Sequence, residues 1–231
     1  MSKQEPDVIF GTEDLLLSLC NSVTRVLNVA TNTHIRYSGM VQRISKTCLK
    51  PDIGCFVLFD GGFSGLVIIN FTAQAAMELY ESYLLNMGMS RADLVTSFTS
   101  DEVSNVMGEL MNQVVGDFTG KVQRELQTQI TQNQPKMLLL NKQVIMSVDA
   151  NLDQPEARRV TFYTSTNRIF YLELAVDNIQ FIKMVDFEVP APPDPTAVMA
   201  QVHNNELSAP GPAHNSSADD DTDEFLKSLG M

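Results

Sequence analysis

Val103, Val106, Met107, Leu110, Val114, Phe118 and Val122 recur at i, i+3, i+4 and i+7 spacing. This is the apolar stripe of a long helix laid on a core, and no other segment constrains the fold as much. Thr99-Ser-Asp-Glu102 has the spacing of a capping box and predicts the start of a helix running from about 100 to 126. At about 100° per residue, Asn105, Glu109, Asn112 and Gly116 fall within roughly 60° of one another, nearly opposite the stripe. A carboxylate and a carboxamide one turn apart therefore point outward together. Gly108, Gly116 and Gly120 lie inside the helix, each costing about 1 kcal/mol against Ala. Tight packing would account for Gly108 and Gly120, and Gly116 on the polar face would let another backbone approach closely. Spacing alone establishes an outward polar patch, which a solvated face would also produce.

The rest of residues 1–188 reads as one α/β (α+β) domain. Leu15, Leu16, Leu19, Val23, Val26, Leu27 and Ala30 predict a helix over 12–30, with Thr12 as N-cap and Glu13 and Asp14 in the first turn. Cys55–Asp60 and Gly65–Phe71 are β-rich runs around Gly61-Gly62, a hairpin signal. Residues 73–87 form a second helical pattern, and strands are expected near 137–148, 158–164 and 168–176.

Charge and composition exclude several classes. A net charge of −12 and the absence of a polybasic face argue against nucleic acid and against anionic membranes as partners. No apolar run approaches the roughly 20 residues of a membrane span, and the N-terminus lacks a signal-peptide pattern. Cys20, Cys48 and Cys55 form no C-x-x-C pair, and His34, His203 and His214 are scattered, so reduced thiols and no metal site are expected. The expected location is cytoplasmic. A small-molecule enzyme lacks a nucleophile–base pair or phosphate loop to support it.

Near residue 188 the composition changes. Residues 189–217 hold six of the ten prolines and are expected to be a flexible Pro/Ala/Ser-rich linker. Residues 218–231 then turn acidic and amphipathic, with Asp223 in the acidic run and Phe225, Leu226 and Leu229 on one apolar edge before Met231. Residues 189–231 carry seven acidic residues against one Lys, a net −6, and a solubilising tail would have the same charge.

Gly108-Glu-Leu-Met-Asn112-Gln-Val-Val-Gly116 resembles the signature of the CheC/CheX/FliY phosphatases: Glu, two residues, Asn, three residues, Gly, then Pro after twenty-two residues beyond the Asn, where Pro135 stands. Gly62-Phe-Ser-Gly65-Leu-Val-Ile-Ile-Asn-Phe71, with Ala75, Ala76 and Leu79, is similar to the family's glycine hairpin, strand and helix. The rival register Glu102/Asn105 meets Thr128, not Pro, at the corresponding place. A single motif resembles CheX more than two-motif CheC. The family pattern has Asp or Ser four residues before the Glu, where this chain has Asn105.

The resemblance implies a CheC/CheX-like domain, with an antiparallel-rich sheet packed against two long helices and a disordered tail. It implies a substrate, the aspartyl phosphate of a CheY-like receiver that brings its own Mg²⁺, with no cofactor in this chain. Asn112 would orient the attacking water and Glu109 would dock on the receiver lysine, Asn105 and Gly116 lying in the interface. The tail is similar to the C-terminal CheY-binding peptide of CheZ, which would make Asp223, Phe225, Leu226, Leu229 and Met231 partner-binding. A homodimer through sheet edges would resemble CheX. The alternative is a non-catalytic module docking a receiver or a flagellar switch component.

Overall fold

A computed structural model describes residues 9–140, 142–178 and 180–182, all within the first of two units into which the chain divides, Met1–Met184. The elements are β1 (Ile9–Phe10), α1 (Thr12–Thr31), β2 (Arg36–Ile44), β3 (Thr47–Leu49), β4 (Ile53–Gly61), β5 (Gly65–Phe71) and α2 (Ala73–Asn86). A short 3₁₀ turn (Arg91–Asp93) precedes α3 (Asp101–Leu126). Then come β6 (Ile130–Gln132), β7 (Lys136–Leu139), β8 (Met146–Val148), β9 (Glu156–Tyr163), β10 (Ile169–Val176) and β11 (Phe181–Ile182). The proposed linker 189–217 and the tail residues Asp223, Phe225, Leu226, Leu229 and Met231 lie outside the described residues.

The main sheet is antiparallel, in the order β2-β9-β10-β5-β4, with β6 and β7 sharing the outer flank of β4. The long helices α1 and α3, together with the shorter α2, supply the apolar side chains that cover one face. Leu15, Leu19 and Val23 of α1 and Met107, Leu110, Val114 and Phe118 of α3 join Val67, Ile69 and Phe71 of β5 in that core. The other face of β5 is buried too. Leu66 and Ile68 pack with Leu49 of β3, and a two-stranded ribbon, β3 with β8, lies on that side. Hence Leu66–Ile69 of β5 reads as an apolar run, as strands covered on both faces do.

The β4–β5 hairpin needs its glycines. A Cβ on Gly61 would overlap the Gln129 carbonyl, and one on Gly65 would overlap the Phe59 ring. At the helix starts the structure corrects two expectations. The N-cap of α1 is Gly11, whose N–H donates to Asp14 Oδ2 at 2.9 Å, and Thr12 is the first helical residue. The N-cap of α3 is Ser100, whose Oγ accepts from the Val103 N–H. With Ser100 as the cap the third helical residue is Val103, so Glu102 closes no capping box, and Tyr80 Oη donates to its Oε1 at 2.5 Å.

Among the described residues, five strands went unanticipated: β1, β2, β3, β6 and β11. β2 is a largely exposed edge strand that among the described residues pairs with β9 alone, so it lacks the apolar run that marks an interior strand. β3 and β6 have three residues each, and β1 exists through its pairing with β11. Too short for a periodicity of their own, β1, β3, β6 and β11 are specified by their partners.

Candidate functional site

The outward face of α3 carries Asn105, Glu109, Asn112 and Gly116, all exposed, while Leu110, Met111, Val114 and Val115 between them are buried. The buried stripe sets the rotation of the helix, and rotation presents the polar four together. Glu109 Oε1 accepts from Gln113 Nε2 at 2.9 Å, one turn along the same helix. In the rival register, Glu102 is held by Tyr80 of α2.

A second element frames this face. Gln127, at φ 49, ends α3 in a left-handed cap, and the chain returns along the helix as β6 and β7. Gln123 Nε2 donates to the Ile130 carbonyl at 2.7 Å. Further back, Gln132 Nε2 donates to Asn112 Oδ1 at 3.1 Å and Gln132 Oε1 accepts from Thr119 Oγ1 at 3.3 Å. Met137 comes nearest the Gly108 position. Pro135 falls between Gln132 and Met137, in the gap separating β6 from β7. Lacking an N–H it cannot extend the ladder, so the edge strand breaks beside the turn of α3 that carries Glu109 and Asn112. Gln132 was missed from sequence, because only the return of the chain brings it to Asn112.

The helix glycines are not forced by packing. A Cβ at Gly108 would lie 3.7 Å from Met137, and one at Gly120 would lie 3.7 Å from Arg124. These are ordinary contacts, which corrects the expectation of tight packing. At Gly116 the nearest atom would be Gln132 Nε2 at 4.0 Å.

Towards α1, the same helix offers Asp117. Burial would raise its carboxyl, but hydrogen bonds from Lys121, Arg25 and Ser22 outweigh this and hold it below the ordinary carboxylate range. Lys121 Nζ lies 2.9 Å from Asp117 Oδ2 and donates to Ser22 Oγ at 3.1 Å. These groups tie α1 to α3 and so fix the angle at which α3 offers its outer face. Among the described residues, no group of three or more His, Cys, Asp or Glu could hold a metal ion. No helix among them is long and apolar enough to cross a membrane.

An antiparallel sheet covered on one face by helices is the fold of the CheX and CheC-like proteins. A chemotaxis protein CheX from Desulfovibrio desulfuricans is similar over 71% of this chain and 99% of its own, with TM-score 0.59 and 16% identity. A CheC-like superfamily protein from Shewanella sp. PV-4 covers 71% and 97%, with TM-score 0.58 and 18% identity. CheX of Borrelia burgdorferi, solved as a CheX–CheY–BeF₃–Mg²⁺ complex, covers 71% and 98%, with TM-score 0.53 and 14% identity. Within that fold, the chain belongs to the family described as Protein of unknown function (DUF3334), whose model matches residues 6–231. No curated protein sequence matches it.

Proposed function

We propose that this chain is a phosphatase of a phosphorylated CheY-like receiver in chemotaxis signalling, acting through Asn112 and Glu109 on the outer face of α3. The observation that carries this reading is the joint exposure of that carboxamide and carboxylate on a helix locked from behind by its buried stripe. The fold shared with a CheX captured on CheY supports the choice of partner.

Hydrolysis of an aspartyl phosphate asks little covalent chemistry of a helper. Water oxygen bonds to phosphorus as the acyl P–O bond breaks, and the electron pair returns to the receiver carboxylate. The water proton passes to the phosphate released. What the helper supplies is position. Asn112 enters the receiver site and orients the water, and an amide both donates and accepts without adding negative charge beside phosphate. Glu109 pairs with the receiver lysine and sets the depth of docking. Asn105 and Gly116 flank the contact. The receiver contributes Mg²⁺, and this chain needs no cofactor of its own. Residues 218–231 serve as a second, tethered contact with the receiver across the 189–217 linker.

The test is to add the chain to a phosphorylated CheY-type receiver and follow loss of the phosphoryl group. Acceleration is expected. Asn112→Ala should lower kcat by roughly 100-fold, the scale of a lost positioning contact. Glu109→Ala should lower kcat/KM by about ten-fold or more, through loss of a docking charge pair. An Asn112→Ala protein with wild-type turnover would leave a docking module without catalysis.

A further inference from the structure

The proposed water-orienting amide does not stand alone. Gln132 reaches it from β6, a strand whose position is set by backbone pairing with β4, Gln132 lying opposite Phe59. Its Nε2 donates to Asn112 Oδ1 at 3.1 Å. Its Oε1 accepts at 3.3 Å from Oγ1 of Thr119, a residue only 7% exposed whose single hydroxyl proton is shared with the Gly116 carbonyl, also at 3.3 Å. The Gln132 side chain lies beside Gly116, where a Cβ would come no nearer than 4.0 Å to its Nε2.

Resting on the phosphatase reading above, we propose that Gln132 is a positioning residue that decides which end of the Asn112 carboxamide faces the receiver. With Oδ1 engaged by Gln132, Asn112 presents its two Nδ2 protons and one remaining Oδ1 lone pair. Nδ2 can then donate to a phosphoryl oxygen or to the water, and the lone pair can accept from the water. An unanchored Asn spends part of its time turned over, with its carbonyl set against phosphoryl oxygens. A fixed amide avoids that reorganisation at the moment of attack. The Thr119–Gln132–Asn112 chain thus transfers the orientation of a nearly buried hydroxyl to an exposed catalytic amide.

Gln132→Glu isolates this role, because it keeps size and reach but a carboxylate cannot donate to Asn112 Oδ1. Asn112 would turn over and donate its Nδ2 protons to the new carboxylate. With a phosphorylated CheY-type receiver, kcat should fall about ten-fold while KM changes less than about two-fold, the signature of an interaction realised in the transition state. Lowering the pH towards the ordinary Glu value, about 4.3, restores a donor and should recover part of the loss relative to wild type. In the chain alone, NMR should show the Asn112 side-chain NH₂ protons moving downfield in Gln132→Glu. Gln132→Met keeps the side chain's length without donor or acceptor and should lose kcat with no downfield shift.

A Gln132→Glu protein with wild-type kcat, beside an inactive Asn112→Ala, would overturn the role of Gln132 and leave the phosphatase reading standing. Unmoved Asn112 side-chain resonances would overturn it as well. Absence of acceleration by the wild-type chain would instead overturn the phosphatase reading, and the positioning role with it.

Discussion

At the scale of the residue, the candidate site depends on small groups kept small and polar groups kept outward. Gly116 shows the tension between stability and contact. It is exposed, inside a helix, and a Cβ there would lie 4.0 Å from Gln132 Nε2, an ordinary contact. Helix propensity alone favours Ala there by about 1 kcal/mol. Gly116→Ala is therefore expected to raise stability by up to about 1 kcal/mol in urea unfolding, yet to weaken dephosphorylation by raising KM. A variant more stable and equally active would mean that no partner backbone approaches at this position. The outward direction of Asn105, Glu109 and Asn112 was legible because a helix advances by a constant angle, so one buried stripe fixes every other side chain's heading. Gln132 was not legible. Its part arises from a strand twenty residues further on, and no periodicity within α3 refers to it.

At the scale of the element, the helices are secured to the sheet by polar clamps as well as by apolar faces. Glu78 of α2 binds the β9–β10 turn, accepting from Thr164 Oγ1 at 2.6 Å, Ser165 Oγ at 2.8 Å, and Thr166 Oγ1 and N–H at 2.5 and 3.1 Å. Partial burial would raise its carboxyl, but these hydrogen bonds outweigh it and the group is held below the ordinary range. With the folded pKa below the unfolded one, the ionised carboxylate stabilises the fold fully above the unfolded value of about 4.3. That contribution is lost as the pH falls through the folded value. Glu78→Gln should thus cost about 1–2 kcal/mol at pH 7 by the usual worth of such bonds. The difference in Tm between the two proteins should shrink below about pH 4. A constant difference across that range would assign the loss to packing instead. None of this clamp was evident beforehand, since Glu78 and Thr164 are 86 residues apart. The hairpin around Gly61-Gly62 was evident, because a turn and its two strands are contiguous and glycine marks the close approach.

At the scale of the whole molecule, a proline-rich stretch and an acidic, amphipathic end segment follow the α/β domain in the sequence, and the family match runs through them to residue 231. A tethered contact works by effective concentration. Deleting residues 218–231 should therefore raise KM for the phosphorylated receiver severalfold while kcat changes little, with the melting temperature of the domain unchanged. An unchanged KM would reduce the segment to a solubilising charge. By itself, the sequence determined the features that depend on neighbours along the chain. These are the helices α1, α2 and α3, the β4–β5 hairpin, the direction of the Glu109/Asn112 face and the shift in composition near residue 188. Each is a local pattern whose period or turn chemistry is written in consecutive residues. Only the tertiary structure decided the edge strands, the ribbon covering the second face of β5, the Tyr80 hold on Glu102 and the meeting of Gln132 with Asn112. Those features join residues distant in sequence, and their energies exist only once the sheet has brought the partners together.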